Sequence, residues 1–190
     1  MQMKIIAAAA LMGLIVAPMG LRAETIAEKA EVCSACHGEK GLPTNPDAPI
    51  IWGQHAGYLY IQLKDYKSKN RKNEIMNGIA DTLEKPDMLA LAEYFEAKTW
   101  PKTGYSSSSA DAKKGDEIGN AGMCTSCHLG TFLGDSAIPH IAGQTQVYLE
   151  KTLLAFKSRE RNNNPDKSNL MQTFSDEDLQ TMSRYVAGIQ

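Results

Sequence analysis

The sequence predicts an all-α fold built from two similar helical units in tandem, and three observations carry that expectation. A segment reading PIIWGQHAGYLYIQLKDYKSKNR from Pro49 returns as PHIAGQTQVYLEKTLLAFKSRER from Pro139, with identical residues at ten of the 23 positions. Apolar residues recur at helical spacing behind recognisable N-caps. No run of alternating apolar and polar residues suggests a sheet.

Taken in chain order, Lys4 precedes an apolar run, Ile5 to Ala17, that Pro18 interrupts before Leu21-Arg22-Ala23 offers a small residue for cleavage. Residues 1–23 therefore read as a secretory signal peptide, whose apolar run of 13 residues falls short of the roughly 18 to 20 that span a bilayer as a helix. Thr25 and Glu28 form a capping box ahead of a helix that runs into Cys33. A second helix follows Gln54, with Tyr58, Ile61, Gln62 and Tyr66 on one face. A third begins near Glu84 and carries Met88, Leu91, Ala92 and Phe95 as an apolar stripe. Trp100 to Ala110, WPKTGYSSSSA, reads as an exposed linker, so the halves are residues 24–103 and 104–190. In the second half Asp111 can start the first helix, and Val147, Leu154 and Phe156 mark the second less regularly. Ser175 and Asp178 cap the third, whose stripe is Leu179, Met182 and Val186.

Three helices in about 80 residues bury little apolar surface and make a marginal domain. A large planar apolar cofactor would complete each core, and the Gly- and Pro-containing stretches after the first helices read as loops wrapped around it.

Composition narrows the class. The chain has 190 residues, 22% charged and 43% hydrophobic, with a formal charge of −2, which argues against a disordered tail protein or a basic nucleic-acid binder. Without Lys4 and Arg22, 18 basic residues face 22 acidic ones and the charge becomes −4. Four cysteines are too few for a disulfide scaffold of this size. They stand as Cys33-Ser-Ala-Cys36-His37 and Cys124-Thr-Ser-Cys127-His128, 91 positions apart. Cysteines three apart on a helix end share a face, so both thiols can add to the two vinyl groups of one haem while the next histidine turns to its iron. A zinc site would pool the two pairs, and a thioredoxin-like dithiol would need a βαβ setting. Two covalent haem c groups are expected, on Cys33, Cys36 and His37 and on Cys124, Cys127 and His128.

The sixth iron position separates electron carriers from ligand-activating haem proteins. Of the five methionines after residue 23, Met88, Met123 and Met182 read as core, whereas Met76 and Met171 lie in the loop before each third helix and are the expected distal ligands. Met76 stands 18 residues before Tyr94, but Met171 stands 14 before the matching Tyr185, and Lys167 holds the register a methionine would occupy. Lys167, or an open site, is the rival at the second iron. The carbonyls of Pro49 and Pro139 are placed either to accept the second N–H of each haem histidine or simply to turn the chain. Lys67, Arg71, Lys157 and Arg161 read as solvated helix ends, with haem propionates or a partner as the other option, and His55 and His140 as surface or packing residues.

On CSACHGEKG, the paired P-x-x-x-GQ segments, the Tyr-Leu helix and MNGIADTLEKPDMLALAEYF, the chain resembles the class I cytochromes c, and among them the periplasmic dihaem cytochromes of the c-four type. The resemblance covers the chain after residue 23. It implies two tandem class I cytochrome c domains related by a pseudo-two-fold axis, each with a His/Met haem. The implied function is a monomeric periplasmic electron carrier, with room for peripheral membrane association and no nucleic-acid partner. It would shuttle electrons from a quinol-oxidising cytochrome complex or a periplasmic dehydrogenase to a terminal haem-copper oxidase. The rival from another class is a small dihaem oxidoreductase, peroxidase-like or thiosulfate-oxidising, with an unusual second haem. CHLGTFLGD in place of a CHGxxG segment and the slid Met171 are where the second half departs from the pattern.

Overall fold

The computed structural model describes residues 24–189, and the expected signal peptide lies outside them. The described residues form nine helices: α1 (Ile26–His37), α2 (Ala56–Lys67), α3 (Glu74–Asp81), α4 (Lys85–Glu96), α5 (Ser109–Ala121), α6 (Cys124–His128), α7 (Gln146–Lys157), α8 (Pro165–Met171) and α9 (Asp176–Ala187). An isolated bridge between Asp135 and Ile138 accompanies them, with no named strand among these residues. No helix of the described residues is long and apolar enough to cross a membrane.

Local chemistry accounts for the helix starts. Thr25 caps α1 and Ser175 caps α9 through reciprocal boxes with Glu28 and Asp178, so two orphan N–H groups are satisfied at each end. Asn73 and Asn164 cap α3 and α8, two short helices lying where sequence reading expected loops. α5 is capped by Ser108, three residues before Asp111, and the serine stretch is partly packed: a Cβ on Gly188 would meet Ser107 at 2.5 Å. α1 runs unbroken into its CxxCH motif, whereas Met123 in the left-handed region (φ 50°) separates α5 from α6. That break leaves Met123 exposed at the surface, at 69%, rather than in the core.

Each half closes around its own apolar cluster. Ala30, Leu59, Leu91, Ala92 and Phe95 bring α1, α2 and α4 together; Ile118, Leu149, Met182 and Val186 do the same for α5, α7 and α9. Lys29 on α1 meets Asp87 on α4 at 2.6 Å, and Arg184 on α9 meets Asp111 on α5 at 3.0 Å, so the same helix pair is bridged with reversed polarity.

The halves meet across a self-complementary seam. Gln144 accepts from Ile50 N at 2.8 Å and donates to Ile50 O at 3.0 Å; Gln54 accepts from His140 N at 2.9 Å and donates to His140 O at 2.8 Å. The two exchanges map onto each other by the pseudo-two-fold axis. Trp100 stacks on His140 with ring centroids 3.8 Å apart, and His55 Nε2 pairs with Leu133 O at 2.8 Å, so both spare histidines also serve the seam.

Candidate haem sites

α1 ends in the first motif, which puts Cys33, Cys36 and His37 on its last turn. His37 is buried, and its Nδ1 donates to Pro49 O at 2.8 Å. His128 makes the same bond to Pro139 O at 3.1 Å. Of the two readings of these prolines, the structure therefore supports the hydrogen-bonding one. Burial lowers the pKa of His37, and burial together with the charge of Lys167 lowers that of His128 to about 4. Both imidazoles are neutral at pH 7. With the proton fixed on Nδ1, the lone pair sits on Nε2, the state a metal-binding histidine needs.

The thiols are unpaired. Burial raises the pKa of Cys33 and of Cys124, so neither resembles the thiolate of a redox dithiol. Among the described residues no three His, Cys, Asp or Glu side chains converge to hold a metal ion, which leaves the two motifs as separate sites rather than one zinc cluster.

In the first half these groups open on a cleft of about 1070 Å³, counting its open mouth, lined by Cys33, Cys36, His37, Met76, Leu91 and Phe95 among others. Met76 reaches this wall from the first turn of α3, where Met76 N donates to Asn73 Oδ1 at 2.9 Å. The second half repeats the construction with a different residue. Lys167 N donates to Asn164 Oδ1 at 3.0 Å, so Lys167 holds the helix position of Met76. Like Met76 it is half-buried. Its ammonium lies 4.9 Å from the centroid of the Phe156 ring and close enough to Cys124 and His128 to shift both. Met171 holds the register of Ala80 and is packed with Phe156 and Leu179 in a buried apolar cluster. The structure thus does not put Met171 where it puts Met76.

Arg71 and Arg161 correct the reading of solvated helix ends, for both are buried between the halves. Arg71 donates to Gln62 Oε1 and to the Tyr148 hydroxyl, each at 3.0 Å. Arg161 donates to Gln62 Oε1 at 2.9 Å and to the Tyr58 hydroxyl at 3.3 Å. Each guanidinium also covers a ring of its own half, Arg71 over Tyr66 at 4.6 Å and Arg161 over Phe156 at 4.4 Å. Among the described residues neither has a carboxylate within 4.0 Å. Lys67 and Lys157 do behave as helix-end residues, pairing with Glu84 and Asp176.

These observations fit a haem at each motif. The histidines present a free Nε2, the paired thiols sit on one helix turn, and the first cleft is apolar. Two buried cations without anions suit a cofactor that carries propionates.

No protein-family model matches the chain. Over 174 residues it is 32% identical to cytochrome c4 of Pseudomonas aeruginosa, an alignment covering 85% of each protein. It is 30% identical over 172 residues to the thiosulfate dehydrogenase electron acceptor of Stutzerimonas stutzeri, covering 84% of this chain and 80% of that one. The structure superposes on reduced recombinant cytochrome c4 from Pseudomonas stutzeri with a TM-score of 0.77 at 29% identity, covering 85% and 95% of the two chains.

Proposed function

Since the chain belongs to the dihaem cytochrome c4 family, we propose that it works as an exported periplasmic carrier passing electrons from a quinol-oxidising complex or a periplasmic dehydrogenase to a terminal oxidase. As a member of that family it is an electron-transfer protein with two covalent haem c groups. Haem iron, when bound, supplies the chemistry by cycling between two oxidation states.

The chain's own residues do the rest. Cys33 and Cys36 tether the first haem and Cys124 and Cys127 the second. His37 and His128 are held to one tautomer by Pro49 and Pro139, which keeps Nε2 aimed and basic. Met76, which lines the cleft with Cys36 and His37, would supply the sulfur ligand to the first haem, and a soft thioether would favour the ferrous state and raise the potential. Two side chains compete for the distal side of the second, Met171 and Lys167. Arg71 and Arg161, buried without carboxylate partners among the described residues, would pair with haem propionates. The boundary between haem domains falls at residues 103/104.

The observation that carries this reading is the pairing of each CxxCH histidine with a proline carbonyl, made twice in one chain. A dehydrogenase as electron donor is favoured by the likeness to a protein named for accepting electrons from thiosulfate dehydrogenase. The exported protein should carry two haems by intact mass and lack residues 1–23. Met76→Ala should remove the thioether signature of one centre. Reduction by a thiosulfate dehydrogenase and reoxidation by oxidase-containing membranes, each measured by stopped-flow absorbance, separate the partners; failure of both would refute the shuttle.

A further inference from the structure

We propose that Lys167, not Met171, supplies the sixth ligand of the second haem iron, an assignment that rests on the dihaem reading above. The repeat provides the alignment. From the asparagine caps onward the halves run in step at an offset of 91: Asn73 with Asn164, Met76 with Lys167, Ala80 with Met171, Leu91 with Met182, Tyr94 with Tyr185. The backbone keeps that step, since Met76 N and Lys167 N bond to their asparagine caps at 2.9 and 3.0 Å. A side chain at this position of the first half lines the cleft with Cys36 and His37. In the second half the same position carries an amine, held 4.9 Å from the centroid of the Phe156 ring.

Met171 is engaged elsewhere. Its counterpart Ala80 is fully buried, and Met171 is 5% exposed among Phe156 and Leu179. The second half has moved a methionine within its core: Met88 is answered by Leu179, and Ala80 by Met171. The sulfur near the second motif is packing material, retained in the core rather than offered to the iron.

In the proposed bond Lys167 Nζ donates its lone pair to iron after its proton leaves to solvent, and no electron changes hands. An amine is a harder donor than a thioether and does not favour the ferrous state as sulfur does. The second centre therefore has the lower potential, and a shared electron rests on the first haem.

The test uses the exported protein with its haems attached. Intact mass and the pyridine haemochrome spectrum count the haems; fewer than two would sink the dihaem reading, and the ligand assignment with it. With two haems present, near-infrared magnetic circular dichroism of the oxidised protein counts thioether-ligated centres by their sulfur-to-iron charge-transfer band. The expected result is one thioether centre and one low-spin centre with two nitrogen ligands. Met171→Leu, a volume-conserving change, should leave the thioether intensity unaltered. Lys167→Met should double it and raise the lower of two midpoints in a reductive titration while leaving the upper in place. Two thioether centres in the unaltered protein, one of them lost in Met171→Leu, would overturn the assignment, as would a high-spin second centre. Should Lys167→Met fail to mature, the unaltered protein and Met171→Leu decide the question.

Discussion

Replacing Gln144 with methionine removes two hydrogen bonds from the seam while keeping most of the side-chain volume. Gln144 is 2% exposed; across the seam its partners are the N–H and C=O of Ile50, itself 1% exposed, and its Oε1 also accepts from Thr145 N at 2.9 Å within its own half. Water cannot readily replace the lost amide, so both Ile50 groups are stranded. A buried donor or acceptor left unpaired costs about 1–3 kcal/mol, which makes the change worth about 2–6 kcal/mol. At about 2–4 °C per kcal/mol for a chain of this size, the apparent melting temperature should fall by no less than about 4 °C. Thermal unfolding of the holoprotein, followed by far-UV circular dichroism and by Soret absorbance, measures it. Gln172→Met, at an exposed position, is the control and should stay within about 0.5 kcal/mol. Gln54→Met breaks the mirror-related exchange and should cost a similar amount. The double variant should lose less than the sum if the first change already opens the seam. A Gln144→Met protein as stable as the control would refute the idea that this pair of exchanges holds the halves together.

Two glycines should answer an alanine in opposite ways. A Cβ at Gly115 would sit 2.3 Å from the Cβ of Tyr185 where α5 crosses α9, so Gly115→Ala should cost about 1–3 kcal/mol by chemical denaturation. Gly78, in α3 with nothing within 4 Å, should gain about 0.5–1 kcal/mol from the same change. Burial, then the neighbouring His55, holds His140 down to about 4 against an ordinary 6.5. Between those values the unfolded chain takes up a proton that the folded one refuses, so stability falls as pH drops from 6.5 toward 4. His140→Phe should remove that part of the slope in denaturation midpoints, and an unchanged slope would sink the argument. The Ser175 hydrogen bonds hold the Asp178 carboxyl below its ordinary 3.8. Their contribution is present above that value and lost as pH falls through the lower folded one, so Ser175→Ala should cost about 0.5–2 kcal/mol at pH 7 and less in acid, read by thermal melts.

What was legible in the sequence was local. The capping boxes at Thr25 and Ser175, the Met88-to-Phe95 stripe and the first CxxCH motif at the end of α1 each depend on residues a turn or two apart, and the structure places them as expected. α3 and α8 look like loops in the sequence because they are short and lack a long apolar stripe, although Asn73, and Asn164 with Pro165 behind it, are start signals. Arg71 and Arg161 look like solvated helix ends within either half. Their burial is created by the tyrosines of the opposite half, about 77 and 103 residues away in sequence. Met123 reads as core because it abuts Cys124, on the wrong side of the haem for a distal ligand, and the break after α5 turns it outward. The seam itself could have been suspected, because Gln54 and Gln144 fall inside the repeated segment, but their partners are backbone groups that carry no sequence signal.

Which positions of the repeat stay identical follows from where they face. A seam with pseudo-two-fold symmetry uses each residue type twice: Gln54 and Gln144 serve His140 and Ile50, while Tyr58 and Tyr148 receive Arg161 and Arg71. A change in one copy breaks a contact with the other half, so these positions must keep matching chemistry on both sides of the axis. Cys33 and Cys36 with Cys124 and Cys127 are constrained separately, by the geometry of attachment to a common cofactor. The third residue of α3 or α8 makes none of the hydrogen bonds that cross the seam. That position can change without disturbing the assembly, and it is where the two halves differ, Met76 against Lys167. A pair of domains docked symmetrically can thus carry different side chains at this position, because the residues that hold the halves together lie on and around α2 and α7, whereas Met76 and Lys167 stand on α3 and α8.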